Sequence, residues 1–196
     1  MKKILFLFLA ACFFFSCEKE TIVIPQQHAG RTVLAFFWAD NSLNSSLRDN
    51  IQTMMQGLQA MKDSAALLVY WDGEASDISW PEPCIVEYVT NGQGGINSLS
   101  KGTIDAMMAD KNTSIYDLIG IGNIRKKYPP QTSTEKTVMQ TVIGDMMSAY
   151  PSESYGIIFG SHGSGWLPTI TGTRSIGQDG GRYSSDTALI LSLIHI

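Results

Sequence analysis

Three uninterrupted apolar runs limit the folds that this chain can adopt. They span residues 33–38 (VLAFFW), 65–71 (AALLVYW) and 155–159 (YGIIF). A strand covered on one face alternates apolar and polar residues, whereas a run that is apolar throughout is typical of a strand covered on both faces. Because helices must supply both covers, the runs predict a sheet inside a layered α/β protein.

Helical patterns separate these runs. The first is an apolar stripe made by Leu43, Leu47, Ile51, Met54, Met55, Leu58 and Met61. The second is made by Val138, Val142, Ile143, Met146 and Met147. A capping box at Thr132 and Glu135 predicts the start of the second helix, and Pro151 predicts that it ends earlier. The order of strands and helices predicts a three-layer α/β/α sandwich with a mostly parallel sheet.

The middle of the chain has weaker patterns. Residues 84–89 (CIVEYV) predict an antiparallel edge strand, in which Cys84 is a small buried hydrophobe. Residues 115–127 favour a helix, although Gly120 and Gly122 weaken that prediction. The basic run at residues 125–127 predicts a solvated surface patch.

Composition narrows the classes of partner. The chain has 196 residues, a net charge of −4, 44% hydrophobic residues and 16% charged residues. These values predict one globular domain and argue against a disordered chain. Nucleic-acid binding needs a basic surface, so no nucleic-acid partner is expected.

The N-terminus predicts a targeting segment. Two lysines precede an apolar stretch at residues 4–15, which is shorter than the ~20 residues of a membrane-spanning helix. Ser16 and Cys17 follow this stretch, and the whole segment resembles a bacterial lipoprotein signal in which Cys17 is lipidated, with Cys12 as the alternative site. We therefore expect a signal peptide at residues 1–17, a polar tether at 18–30, and a lipid-anchored or secreted protein of the cell envelope. A plain secretory signal is the remaining alternative.

Candidate site residues follow the predicted strands, because ligands of open α/β sheets bind beyond the carboxyl ends of the strands. His162 is the strongest candidate, since imidazole can exchange a proton near neutral pH and glycines surround it. A histidine that only bonds to its own loop is the alternative. Asp40 and Asn41 predict helix capping or loop bracing, with the orientation of a catalytic loop as the alternative, and Asp72 predicts a turn residue.

The spacing of residues in this sequence does not match the motifs of several other kinds of site. Ser161 and Ser164 lack the flanking glycines of a nucleophile elbow. The chain has no GxxxxGK[ST] phosphate loop and no complete GxGxxG fingerprint. The remaining histidines, His28 and His195, lie in the predicted tether and near the C-terminus, so no zinc site is expected. No metal and no cofactor are therefore predicted.

One segment resembles a known family. Residues 155–166 (YGIIFGSHGSGW) are similar to the histidine segment of the clostripain family of cysteine peptidases. Residues 31–34, 39–43 and 175–179 resemble neighbouring parts of that family. The resemblance implies a caspase-like fold, a Cys-His dyad with His162 as base, Gly163 in an oxyanion loop, and a peptide substrate cleaved after Arg or Lys, often with self-processing.

The chain also departs from that family, because no cysteine follows His162. In caspases the nucleophile lies ~50 residues after the histidine, but this sequence stops at Ile196. Residues 191–196 (LSLIHI) match a translation of a common transposase sequencing adapter, so we expect a non-native tail there. Residues 31–190 are then the N-terminal part of an incomplete peptidase domain, inactive by itself. The alternative is a non-catalytic, surface-anchored binding lipoprotein of the same fold.

Overall fold

The computed structural model describes residues 29–73, 82–109, 115–162, 175–179 and 182–185. Its strands are β1 (Ala29–Ala39), β2 (Ala65–Gly73), β3 (Cys84–Val89), β4 (Asn123–Lys127), β5 (Ser152–Gly160), β6 (Ser175–Asp179) and β7 (Arg182–Ser185). Its helices are α1 (Asn44–Ala60), α2 (Lys101–Ala109), α3 (Ile115–Ile121) and α4 (Lys136–Ala149). No helix within these described ranges is long and apolar enough to cross a membrane.

Strand β1 lies between the other two predicted apolar strands. The main sheet has the order β4-β3-β2-β1-β5, and β6 pairs with β7 in a separate hairpin. Leu34 in β1 pairs in parallel with Leu68 of β2 and with Ile157 of β5. Both β2–β3 and β3–β4 are antiparallel pairs, so four of the five strands point the same way. The prediction of a mostly parallel sheet is confirmed.

The sheet has an apolar core on each face, because successive strand residues point to opposite sides. Ala35 and Phe37 face helices α1 to α3. Leu34, Phe36 and Trp38 face helix α4. The predicted methionine-rich helix faces are buried in these two cores, which confirms the three-layer α/β/α arrangement.

The structure of the middle of the chain differs from two predictions. Strand β3 is an interior strand, because β4 pairs along its outer side. Residues 115–127 form helix α3 followed by strand β4, and the helix ends at Ile121. Gly122 lies at the transition from helix α3 to strand β4, where any Cβ would overlap the side chains of Val86 and Tyr88. Glycine therefore allows the chain to pass close to β3 as it leaves the helix.

The capping box at the start of α4 was also a wrong prediction. The helix begins at Lys136 with Glu135 as its N-cap residue, and no side chain caps it. The backbone N–H of Glu135 donates instead to the carbonyl oxygen of Thr132, at 3.0 Å, and closes a turn. The predicted end before Pro151 is confirmed.

The basic run at residues 125–127 forms the exposed edge strand β4 and is therefore solvated, as predicted. Each side chain also has an acidic partner. Arg125 Nε lies 2.7 Å from Glu87, Lys126 Nζ lies 2.5 Å from Asp145, and Lys127 Nζ lies 3.0 Å from Glu82. Charged side chains on an edge strand oppose pairing with other chains, so the run disfavours the addition of another strand to β4.

The Arg125 pair provides a test of edge stability. Glu87 has only 3% of its side chain exposed, so Arg125→Met leaves a buried carboxylate without its cation. We expect a loss of about 2–4 kcal/mol in the free energy of unfolding, measured by urea denaturation. Lys127→Met is the matched control, because Lys127 and Glu82 are both exposed, and it should change stability little. Equal effects of the two variants would contradict this assignment.

Candidate active site

His162 lies two residues after the end of β5, at the edge of the sheet where β1 and β2 also end. It is half-buried, and its Nε2 lies 2.9 Å from the hydroxyl oxygen of Ser42. Ser42 belongs to the loop between β1 and α1. The structure therefore brings together two residues that are 120 positions apart in the sequence.

Asn41 braces the β1–α1 loop. Its side-chain Nδ2 donates to the carbonyl oxygen of Trp38 at 2.6 Å, and its Oδ1 accepts from the backbone N–H of Leu43 at 2.9 Å. The N-cap residue of α1 is Leu43, which has no side-chain capping bond. Loop bracing is thus confirmed for Asn41, while helix capping is not observed. Asp40 lies half-buried in the same turn.

A second contact joins this loop to the end of β5. Nδ2 of Asn41 lies 3.4 Å from the hydroxyl oxygen of Ser161, the residue before His162. Gly160 makes the approach possible, because a Cβ there would come within 2.6 Å of the Phe37 ring and 2.7 Å of Leu47. Two consecutive loop residues thus contact the two consecutive residues that follow β5.

Asp72 is a buried strand residue, which corrects its prediction as a turn residue. It lies in β2 opposite Trp38 and is 5% exposed. The buried hydroxyl of Ser133 donates to its Oδ2, and the same hydroxyl lies 2.6 Å from the phenol oxygen of Tyr70. Gln131 donates to that phenol oxygen at 2.9 Å. This network compensates the buried carboxylate and attaches the segment before α4 to β2.

Cys84 lies far from His162 along the sheet. It is fully buried and pairs with Trp71 of β2, which confirms its prediction as a buried hydrophobe. Strands β2 and β1 separate it from β5. Three strand spacings place β3 roughly 14 Å from β5, which is too far for a contact between the thiol and the imidazole.

Several predicted residues lie outside the described ranges. They are Gly163 and Ser164 beside the histidine, the possible lipidation sites Cys12 and Cys17, and His28 and His195. Among the residues that the structure does describe, no cluster of three or more His, Cys, Asp or Glu side chains could hold a metal ion.

Ser42 is the site residue that sequence reasoning missed. The available signal was its position directly after Asn41, in the first loop on the carboxyl side of the sheet. A single exposed serine in a polar loop has no distinguishing pattern. Only the pairing of β1 with β5 shows that it contacts His162.

A histidine at the carboxyl edge of a three-layer α/β sheet is consistent with a hydrolase of the caspase-like class. The model of the clostripain family matches residues 35–191. The chain belongs to the clostripain family of cysteine peptidases, as the resemblance of residues 155–166 predicted. No match was found among curated proteins.

Solved structures of secreted C11 cysteine proteases share the fold. A secreted C11 cysteine protease from Bacteroides thetaiotaomicron, in complex with an irreversible peptide inhibitor, is 25% identical with a TM-score of 0.57. The match covers 85% of this chain and 39% of that one. The secreted C11 protease iotapain, from the same organism, is 15% identical over 86% of this chain and 43% of its own, with a TM-score of 0.59. A B. fragilis cysteine protease is 26% identical over 72% and 95% of the two chains, with a TM-score of 0.49.

The chain thus spans less than half of the two secreted Bacteroides proteases that it matches over 85% and 86% of its own length.

The two bonds of Asn41 predict distinct variant effects. Asn41→Ala removes both bonds, and we expect a loss of about 1–2 kcal/mol in stability and faster hydrogen exchange at the Leu43 amide. Asn41→Asp keeps an acceptor for that amide and should preserve its protection. Asn50→Ala, on the exposed face of α1, is the control. Unchanged exchange at Leu43 in Asn41→Ala would rule out the brace.

Proposed function

We propose that this chain is the N-terminal part of a cysteine endopeptidase that cleaves after Arg or Lys with a Cys-His dyad, and that His162 is the histidine of that dyad. The supporting observation is the position of His162 at the carboxyl edge of the sheet, in a chain of the clostripain family. The preference for Arg or Lys rests on the family resemblance alone.

The proposed chemistry needs one thiolate beside His162. The thiolate attacks the peptide carbonyl, and a carbon–sulfur bond forms as the carbonyl electrons move onto oxygen. The His162 imidazolium protonates the departing amine as the carbon–nitrogen bond breaks. His162 then takes a proton from water, whose oxygen attacks the thioester and releases the new carboxylate and the thiolate. The backbone N–H of Gly163 is the proposed donor to the oxyanion.

The nucleophile is proposed to lie beyond residue 196. Cys84 is buried and several strands away, and the sequence has no cysteine after His162. In the described part of the chain, β5 pairs on one side only, with β1. A further strand beside β5 would bring its carboxyl end next to His162. Residues 31–190 would then belong to the peptidase domain, and residues 191–196 would be foreign.

The first test concerns the gene and then its product. Sequencing the locus past codon 196 should reveal a further apolar strand followed by a cysteine. In the product of that gene, His162→Ala should abolish cleavage of Arg and Lys reporter peptides, whereas the buried change Cys84→Ala should leave cleavage measurable. A peptide bearing an irreversible electrophile after Lys should label the full-length protein but not residues 1–196 alone.

Three results would count against the proposal. A native stop codon after Ile196 would exclude a downstream nucleophile. Unchanged cleavage by His162→Ala would exclude the role of the histidine. A complete gene without any cysteine after the next strand would favour the binding lipoprotein instead.

We also propose that Cys17 is lipidated, which would anchor the protein at the cell envelope. The supporting pattern is the short apolar stretch that ends two residues before this cysteine. Cys17→Ala should abolish incorporation of labelled palmitate and release the protein from the membrane fraction. Cys12→Ala should still incorporate palmitate and stay in the membrane fraction. The reverse outcome would place the lipid on Cys12. If the wild type and both variants all fail to incorporate palmitate, the segment is a plain secretory signal.

A further inference from the structure

Two adjacent contacts connect the β1–α1 loop to the chain that follows β5. The Ser42 hydroxyl oxygen lies 2.9 Å from His162 Nε2, and Asn41 Nδ2 lies 3.4 Å from the Ser161 hydroxyl oxygen. Both contacts cross between neighbouring parallel strands, at the edge where the site lies. The loop residue next to Ser42 is thus held on the same segment that presents the histidine.

The loop that presents Ser42 is restrained from both sides. Asn41 bonds to the backbone of Trp38 before the loop and of Leu43 after it. The backbone N–H of Asn44 donates to the carbonyl oxygen of Asn41 at 3.1 Å. A serine in a freely moving loop would lose conformational entropy on binding a side chain, whereas this loop is already ordered by its own bonds.

We infer that Ser42 is a positioning residue for His162, holding the imidazole through Nε2 so that Nδ1 is the nitrogen left for the thiolate. This inference rests on the proposed function, and it adds a third residue to the proposed dyad. Ser42 touches neither substrate nor nucleophile in this role. It acts through the orientation and tautomer of the histidine ring.

A hydroxyl suits this position because it both donates and accepts hydrogen bonds. Opposite neutral imidazole, the role that we infer has the Ser42 oxygen accept from Nε2–H, which leaves Nδ1 as the acceptor for the thiol proton. Opposite imidazolium, both ring nitrogens are donors, and the Ser42 oxygen accepts from Nε2–H. The same contact therefore persists when His162 gains and loses its proton, without the need for a buried carboxylate beside the ring.

The first experiment measures the ring itself and needs no peptidase activity. In the 196-residue chain labelled with ¹⁵N-histidine, the ring nitrogen shifts of His162 are recorded under alkaline conditions, where free imidazole is neutral. His162→Ala assigns the signals. We expect one dominant tautomer in the wild type and a shift toward the tautomer ratio of free histidine in Ser42→Ala. Ser42→Thr should restore the wild-type shifts.

The matched control is Ser46→Ala, the same chemical change at an exposed position of α1. It should leave the His162 shifts unchanged, and circular dichroism should show that all variants are folded. Identical His162 shifts in the wild type and in Ser42→Ala would overturn the inference. Failure of Ser42→Thr to restore them would overturn it as well.

The second experiment uses the full-length gene product. Ser42→Ala should lower kcat by about 2-fold to 10-fold, the effect of losing one ordinary hydrogen bond, with KM changed less than about twofold. Ser42→Thr should restore kcat. Activity retained in His162→Ala would refute the proposed function itself. An inactive His162→Ala together with a fully active Ser42→Ala would refute the role of Ser42 alone.

Discussion

Parallel pairing of β1 with both β2 and β5 is the constraint on which the rest of the structure depends. It places the ends of three strands at one edge, and it sets residues after β1 next to residues after β5. The pairing requires an apolar β1, because helices cover it on both faces. Phe36 illustrates the packing, with its ring centroid 4.7 Å from that of Trp38 and 4.5 Å from that of Tyr70.

Much of this framework follows from local patterns, and the exceptions have tertiary causes. Continuous apolar runs identified β1 and β2, which are buried on both faces, and also β5, although Ile158 of β5 is 44% exposed. Helix α3 was extended too far, since the steric limit at Gly122 comes from side chains of β3. Asp72 was assigned to a turn because its donor, Ser133, lies 61 residues away in the sequence.

The candidate site also combines residues that local sequence identifies with residues that only tertiary contacts identify. His162 was identifiable from its glycine-rich surroundings after an apolar strand, and Asn41 from the turn chemistry that follows β1. Ser42 was not identifiable, because nothing in its neighbours distinguishes it from any other exposed serine. Its importance depends on strand order, and the sequence alone does not specify which strand lies beside β1.

The two outer strands of the sheet differ in chemical character. Strand β4 presents three charged side chains in ion pairs and Ile124, which is 43% exposed, while β5 presents Glu153 and Ile158, which is 44% exposed. The ion-paired charges of β4 oppose an added strand there, whereas β5 carries a single charged residue, Glu153. A strand added beside β5 would end next to the segment that carries His162. Extension of the sheet at this edge would therefore also form one wall of the candidate site.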